Sequence, residues 1–307
     1  MKHLLSINDM TVDEISQVFE WSKVLKKYVY DKVEHRLLNG KTLGMIFSKS
    51  STRTRVSFET GMYQLGGHPL FLSSNDIQIG RGESIYDTAK VLSRYIDGIM
   101  IRTFKQSDVE QLAEHGTIPV INGLTDDLHP CQILADLFTV IEHKGDLKNL
   151  KLAYVGDGNN IANSLLYGCS KTGMSLSIAT PKGYECNKMV IENSLSNAKM
   201  TGASIEITND PVKAVYKADV VYTDTWISMG QETEKEKRIN DFKGYQVNDE
   251  LWSYAEKDAM FLHCLPAYRG YEVSSDIIDG PMSKVFDEAE NRLHVQKAVM
   301  VMLMKDG

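Results

Sequence analysis

Short apolar runs alternate with amphipathic stretches along most of the chain. Residues 42–47, 69–72, 98–104 and 119–124 are the first such runs, each with the length of a buried strand. Between them, Phe58, Met62 and Leu65 recur at helical spacing, and Gly66-Gly67 closes that pattern as a C′ glycine does. Ser84 with Asp87 has capping-box spacing and opens a helix to about residue 95. Ser107 with Glu110 gives the same signal for a helix that stops near Gly116. A further helix is predicted over residues 131–143.

The alternation resumes beyond a charged stretch at residues 144–151. Runs at 151–155, 176–179, 204–207, 220–223 and 259–263 read as strands, with helical patterns between them. One of those helices has Asp210 as N-cap and Pro211 at its first position. Strands alternating with helices predict an α/β protein with parallel sheets covered by helices on both faces. In such sheets ligands sit beyond the carboxyl ends of the strands, so candidate site residues should follow strands directly.

The length of 307 residues suggests about two domains at ~150 residues each. Hydrophobic residues at 42% and charged residues at 24% describe a globular chain, too apolar for disorder. The net charge of −7 argues against a broad nucleic-acid or anionic-membrane surface, though not against a local basic pocket. Cys131, Cys169, Cys186 and Cys264 form no C-x-x-C pair, which speaks against a disulfide framework or structural zinc and for a reducing cytosol. The N-terminal residues carry no long apolar run of a secretory signal, and the apolar stretch at 298–304 is far too short for a membrane span.

Six places at predicted strand ends could carry chemistry. Ser51-Thr52-Arg53-Thr54-Arg55 lies between a strand and a helix, where hydroxyls, guanidiniums and free helix N–H groups converge on an anion. Its spacing is not that of a Walker loop. Arg102 ends another run, and His129-Pro130-Cys131-Gln132 opens a helix after a third. His129 could donate to a carbonyl or act as an acid/base, or be structural. Gly156-Asp157-Gly158-Asn159-Asn160 tempts a dinucleotide reading, but Ile161 stands where the third glycine belongs and no acidic residue ends the next strand. A tight turn presenting Asn side chains fits better. Asp224 begins a segment that could pair with a substrate ammonium, and residues 231–243 are charged and long enough for a lid, or for a solvated loop. His263-Cys264-Leu265-Pro266 ends the last strong strand. Neighbours on a strand point to opposite faces, so His263 is a poor base for Cys264 and a positioned, non-nucleophilic thiol is the better reading.

Together these motifs resemble the aspartate/ornithine carbamoyltransferase family. STRTR at 51–55, HPCQ at 129–132, GDGNN at 156–160, DTWISMG at 224–230, HCLPA at 263–267 and ENR at 290–292 follow one another in the family's order and cover nearly the whole chain. STRTR and HPxQ are shared across the family and speak for carbamoyl phosphate. D-x-W-x-S-M-G and H-C-L-P look like the ornithine branch.

The resemblance implies two doubly wound parallel-sheet domains joined by helices, with the active site in the interdomain cleft. Residues 1–145 would bind carbamoyl phosphate, residues 146–289 would bind ornithine, and a final helix at about 290–307 would pack back on the first domain. The implied reaction moves a carbamoyl group from carbamoyl phosphate to the δ-amine of L-ornithine, giving L-citrulline and phosphate in arginine biosynthesis. Ser51, Thr52, Arg53 and Thr54 would hold the phosphate. Arg102 would bridge phosphate and carbonyl oxygens, His129 would bond the carbonyl oxygen, and Gln132 the carbamoyl amide. Gln78 would reach a neighbouring subunit's site, implying a homotrimer. Asn160, Asp224, Ser228 and Met229 would bind the α-amino and α-carboxylate groups. Cys264 and Leu265 would lie beside the δ-amine and the carbamoyl group, and Arg292 would close on the carbamoyl end. Arg102, His129 and Cys264 are the expected catalytic groups. No metal, organic cofactor, nucleic acid or membrane partner is implied, and the expected compartment is the cytoplasm. A carbamoyltransferase for another amine and a non-catalytic anion-binding paralogue are the alternatives.

Overall fold

The computed structural model describes residues 1–74, 77, 82–228 and 230–305. The chain divides into two compact units, Met1–Phe138 with Glu290–Gly307, and Thr139–Ala289.

The first unit contains α1 (Val12–Tyr30), β1 (Thr42–Phe47), α2 (Thr52–Gln64), β2 (His68–Ser73), α3 (Ile85–Leu92), β3 (Gly98–Arg102), α4 (Gln106–His115), β4 (Val120–Leu124) and the start of α5 (Pro130–Lys144). Among the described residues its sheet runs β2-β1-β3-β4 with every pairing parallel. β1 and β3 are buried almost throughout, which is why they read as continuous apolar runs rather than alternating ones. Ile46, Ile99, Ile101, Ala89, Val109 and Leu112 pack into one cluster with this sheet, α3 and α4.

Three local features differ from the sequence expectation. α1 is a helix with a complete capping box between Thr11 and Glu14, which the strand–helix alternation does not reach. β3 stops at Arg102, where its register with β4 shifts, rather than at residue 104. α4 is not capped by Ser107: it starts at Gln106 after Lys105, with no side-chain cap. The Gln106 side chain instead accepts from Asn122 Nδ2 (3.1 Å) and the Thr125 hydroxyl (2.9 Å), and the helix starts two residues earlier than a Ser107 cap would place it. The glycine stop after α2 is as expected: Gly66 adopts φ +81° directly after the Leu65 cap.

The second unit contains β5 (Lys151–Val155), α6 (Asn160–Thr172), β6 (Ser175–Ala179), α7 (Lys188–Thr201), β7 (Ile205–Thr208), α8 (Pro211–Val215), β8 (Val220–Tyr222), α9 (Lys235–Asp241), α10 (Asp249–Trp252), β9 (Met260–Leu262) and α11 (Ser275–Ile278). α12 (Val285–Met304) starts in this unit and ends in the first. The sheet is again wholly parallel, in the order β7-β6-β5-β8-β9 among the described residues. Its core joins Ala153, Val155, Val221 and Phe261 to Ala214, Val215, Leu251, Ile277 and Ile278.

In each sheet two neighbouring strands connect onward in opposite directions. β1 leads to β2 on one side and its neighbour β3 to β4 on the other; β5 leads to β6 and its neighbour β8 to β9. Connections that diverge in this way open a crevice beyond the strand ends, where ligands bind. Residues 51–55 follow β1 and Arg102 ends β3; residues 156–160 follow β5 and Asp224 follows β8. Among the described residues, no helix is long and apolar enough to cross a membrane.

Candidate active site

In the first unit, the candidate groups gather around helix starts. The Ser51 hydroxyl caps α2 by accepting from Thr54 N–H (3.1 Å), so the first turn of α2 ends in oriented donors. Thr52 is exposed, Arg53 half-buried and Thr54 buried. Arg102, His129, Gln132 and Arg292 are all buried. Burial, then the positive charges of Arg292, Arg102 and Arg53, hold His129 well below the ordinary imidazole range. Three guanidiniums therefore surround a neutral imidazole, which can donate a hydrogen bond without carrying charge. Arg292 links two of the predicted segments. Its guanidinium donates to Gln132 Oε1 through Nη1 and to Thr54 Oγ1 through Nη2 (3.2 Å). Lys49 and Arg55, which stand beside the STRTR segment, are engaged elsewhere. Lys49 pairs with Asp126, and Arg55 pairs with Glu59 and stacks on Phe71.

In the second unit the groups sit on loops. Asn159 caps α6, its Oδ1 accepting from Ile161 N–H (3.0 Å) and Ala162 N–H (3.2 Å). Its Nδ2 donates to Asp224 Oδ2 at 2.8 Å, and Asp224 Oδ1 accepts from the Cys264 thiol at 3.1 Å. This joins three strand ends. Gly158 permits it, because a Cβ there would stand 2.4 Å from the Cys186 amide nitrogen. Asn160 is the first residue of α6, and Ser228 bonds within its own loop to the Gln231 side chain (3.0 Å). Gln78 and Met229 lie outside the described residues.

His263 does not serve Cys264. Its Nδ1 accepts from Leu265 N–H (2.9 Å), which leaves the proton on Nε2, 3.2 Å from Glu272. It thereby shapes the turn that presents Cys264 and Leu265. Asp224, His263 and Cys264 offer ligand atoms within 4.8 Å of one another, but both imidazole nitrogens are already engaged in the chain. Elsewhere, burial pushes the Cys131 and Cys186 thiols up to about 12, so neither is a nucleophile at neutral pH.

Sequence reasoning missed Asn159 as an Asp224 partner, and it missed Arg238. Arg238 lies in the charged stretch expected to be solvated or mobile, yet it is buried. Its Nη1 donates to Asp157 Oδ2 (2.8 Å) and to the Trp226 carbonyl (3.0 Å), and its Nε pairs with Glu234 (3.0 Å). Burial still holds the Asp157 carboxyl above its ordinary range against the opposing pull of Arg238. The one legible signal is the i,i+4 spacing of Glu234 and Arg238.

Residues 2–142 match the family model described as aspartate/ornithine carbamoyltransferase, carbamoyl-P binding domain. Residues 148–303 match its companion, the Asp/Orn binding domain. The chain belongs to the aspartate/ornithine carbamoyltransferase family. Within this family it is 60% identical to the ornithine carbamoyltransferase of Caldicellulosiruptor saccharolyticus, over 98% of both chains. Its structure is similar to that of ornithine carbamoyltransferase from Pyrococcus furiosus, at TM-score 0.96 and 54% identity, covering 99% of this chain and 97% of the other. It is also similar to the anabolic ornithine carbamoyltransferase of Campylobacter jejuni subsp. jejuni, at TM-score 0.93 and 42% identity over the full length of both. The family fold of two parallel sheets flanked by helices is the one expected from the alternation of apolar runs.

Proposed function

We propose that this protein transfers the carbamoyl group of carbamoyl phosphate to the δ-amine of L-ornithine, releasing L-citrulline and phosphate. The observation that carries the reading is the gathering of buried Arg102 and Arg292 and half-buried Arg53 about His129, beside the start of a capped helix. Such a cluster suits a doubly charged phosphate bonded to a neutral, polarisable carbonyl.

The roles are those that the resemblance to the family implies. Ser51, Thr52, Arg53, Thr54 and the N–H groups of α2 hold the phosphate. Arg102 spans the phosphate and the carbonyl oxygen, and His129 donates to that oxygen. Gln132 and Arg292 meet the carbamoyl amide. Asn160, Asp224, Ser228 and Met229 take the α-amino and α-carboxylate groups of ornithine, while Cys264 and Leu265 border the reacting amine. The amine must attack as a free base, although an alkylamine in water has a pKa near ~10.4. A cationic, low-dielectric surrounding favours its neutral form. Attack places negative charge on the carbonyl oxygen, where Arg102, His129 and Thr54 stand as preorganised donors. Collapse then breaks the carbon–oxygen bond to the phosphate, which leaves onto Arg53 and the helix N-terminus and takes up the proton lost by the attacking nitrogen. The carbamoyl carbon and the δ-nitrogen must reach bonding distance, so the reaction requires both groups of residues to serve one cleft during turnover.

The same reading extends to assembly and setting. Residues 1–145 and about 290–307 form the carbamoyl phosphate domain and residues 146–289 the ornithine domain. Gln78 completes the site of a neighbouring copy in a homotrimer. The four free cysteines suit a reducing cytoplasm, and the biosynthetic direction is supported by likeness to a relative described as anabolic.

The test is citrulline formation from carbamoyl phosphate and ornithine, beside aspartate, putrescine and acetylornithine. Turnover with ornithine alone is expected. Preference for another amine, or binding of carbamoyl phosphate without turnover, would overturn the proposal.

A further inference from the structure

We propose that Asp136 is a positioning residue that fixes which end of the Gln132 amide faces the ligand, and so sets the preference for a ligand bearing N–H over one bearing a methyl group. The inference rests on the carbamoyl-transfer reading and deepens it.

The two ends of a glutamine amide are nearly equal in shape, so its neighbours decide its orientation. Gln132 has an acceptor on one side and a donor on the other. Its Nε2 donates to Asp136 Oδ1 at 2.7 Å, and its Oε1 accepts from Arg292 Nη1. A guanidinium only donates, so turning the amide over would set donor against donor at Arg292 and carbonyl oxygen against Asp136 Oδ1. Gln132 and Asp136 are four residues apart on α5, which places them one above the other on a single helix face. Asp136, Gln132 and Arg292 are each no more than 2% exposed, too little for bulk water to replace a lost bond.

The far side of the clamp is also anchored. Arg292 Nη2 donates to Thr54 Oγ1 at 3.2 Å. With the Gln296 amide oriented by its surroundings, its carbonyl accepts from Arg292 Nε (3.1 Å) and Nη2 (3.0 Å), and its nitrogen donates to Ser57 Oγ (2.5 Å). The chain Asp136–Gln132–Arg292–Gln296–Ser57 therefore has one internally consistent direction. In that direction Gln132 offers a carbonyl oxygen. A carbamoyl group meets it with N–H, whereas an acetyl group of the same outline meets it with carbon. A site built around a hydrogen bond rejects the analogue that lacks it.

Asp136→Asn keeps the volume but allows position 136 to present N–H, which releases the orientation of Gln132. Citrulline formation gives the KM for carbamoyl phosphate, and competition gives the inhibition constants of acetyl phosphate and inorganic phosphate. The expected result is a KM raised about tenfold or more, with both inhibition constants within about twofold of wild type. Asp136→Ser is assayed in parallel, so that misfolding of one variant does not decide the matter, and the same split is expected. In a Gln132→Leu background, Asp136→Asn is expected to change the ratio of carbamoyl to acetyl phosphate no further. An unchanged KM, an equal loss for all three ligands, or a further change in that background would overturn the inference. Wild-type protein that makes no citrulline would instead refute the parent reading, so the two failures are distinguishable.

Discussion

In the first unit the proposed ligand-facing groups are guanidiniums and an imidazole carried on or beside helices and at a strand end; in the second they are an amide, a carboxylate and a thiol carried on loops. The arginines treat charge differently as well. Arg292 is buried against hydroxyl and amide oxygens, and its charge, with those of Arg102 and Arg53, acts on His129. Arg238 is buried against Asp157, with Glu234 on its Nε, so its charge is spent inside the second unit. The contrast separates two tasks. A charged leaving group calls for fixed, unneutralised dipoles and cations that need no reorganisation during reaction. An amino-acid acceptor calls for a set of directional partners, which loops closed by internal ion pairs can present.

The strongest way to break this comparison is to free the second unit's charge. Arg238→Leu strands the buried Asp157 carboxylate and is expected to cost about 3–5 kcal/mol of stability in denaturant unfolding at neutral pH. The raised Asp157 value fixes the sign of the pH effect. Protonation neutralises the stranded group, so the deficit shrinks as pH falls. A deficit independent of pH would show that Asp157 and Arg238 do not form the pair that holds this loop.

Removing a cation from the first unit should instead act on turnover. Arg53→Ala or Arg102→Ala is expected to cost about 2.7–4 kcal/mol of transition-state stabilisation, as loss of an oxyanion donor does elsewhere. Wild-type kcat/KM in either variant would remove that residue from the site. Asp224→Asn sharpens the comparison from the other side. It should raise the KM for ornithine by about 1.5–3 kcal/mol equivalent, the worth of a hydrogen bond to a charged group, and leave that for carbamoyl phosphate unchanged. Equal effects on both substrates would contradict the division of labour.

The smallest expected effect concerns a buried cation outside either set. Lys297 on α12 contacts Gln64 Oε1 (2.9 Å) and His35 Nε2 (3.2 Å), and burial pushes it down to about 8. Its ordinary value is 10.5, so between pH 8 and 10.5 the unfolded chain binds more protons and stability should rise with pH. Lys297→Met should lose that rise, seen as a difference of a few degrees (~2–4 °C) in melting temperature across the window. Parallel melting curves for both proteins would show that the lysine stays charged in the fold.

Much of the fold is legible in the sequence, and the reason is local. Buried parallel strands appear as apolar runs, and the candidate site residues at their carboxyl ends stand next to them in sequence, as with β1 and Ser51 or β3 and Arg102. α1 was legible in principle, with Thr11 and Glu14 at capping-box spacing ahead of Ile15, Val18 and Leu25, but it belongs to no strand–helix repeat. The cap assigned to Ser107 failed because a tertiary contact of Gln106 overrode a local signal. What the chain could not reveal are pairings between distant segments. Asn159 meets Asp224 across 65 residues, Arg238 meets Asp157 across 81, and Arg292 meets Gln132 across 160. In the charged stretch 231–243 only the i,i+4 spacing of Glu234 and Arg238 hints at which cation turns inward.

The central claim is that the proposed carbamoyl phosphate site depends on the first unit's cations and not on Asp224 of the second unit. Calorimetric titration with phosphonoacetamide, a stable mimic of carbamoyl phosphate, tests it in the absence of any amine. The account predicts equal affinity in wild type and Asp224→Asn, and binding weakened about 100-fold or more in Arg102→Ala. Asp224→Asn weakening the mimic as much as Arg102→Ala does would contradict it.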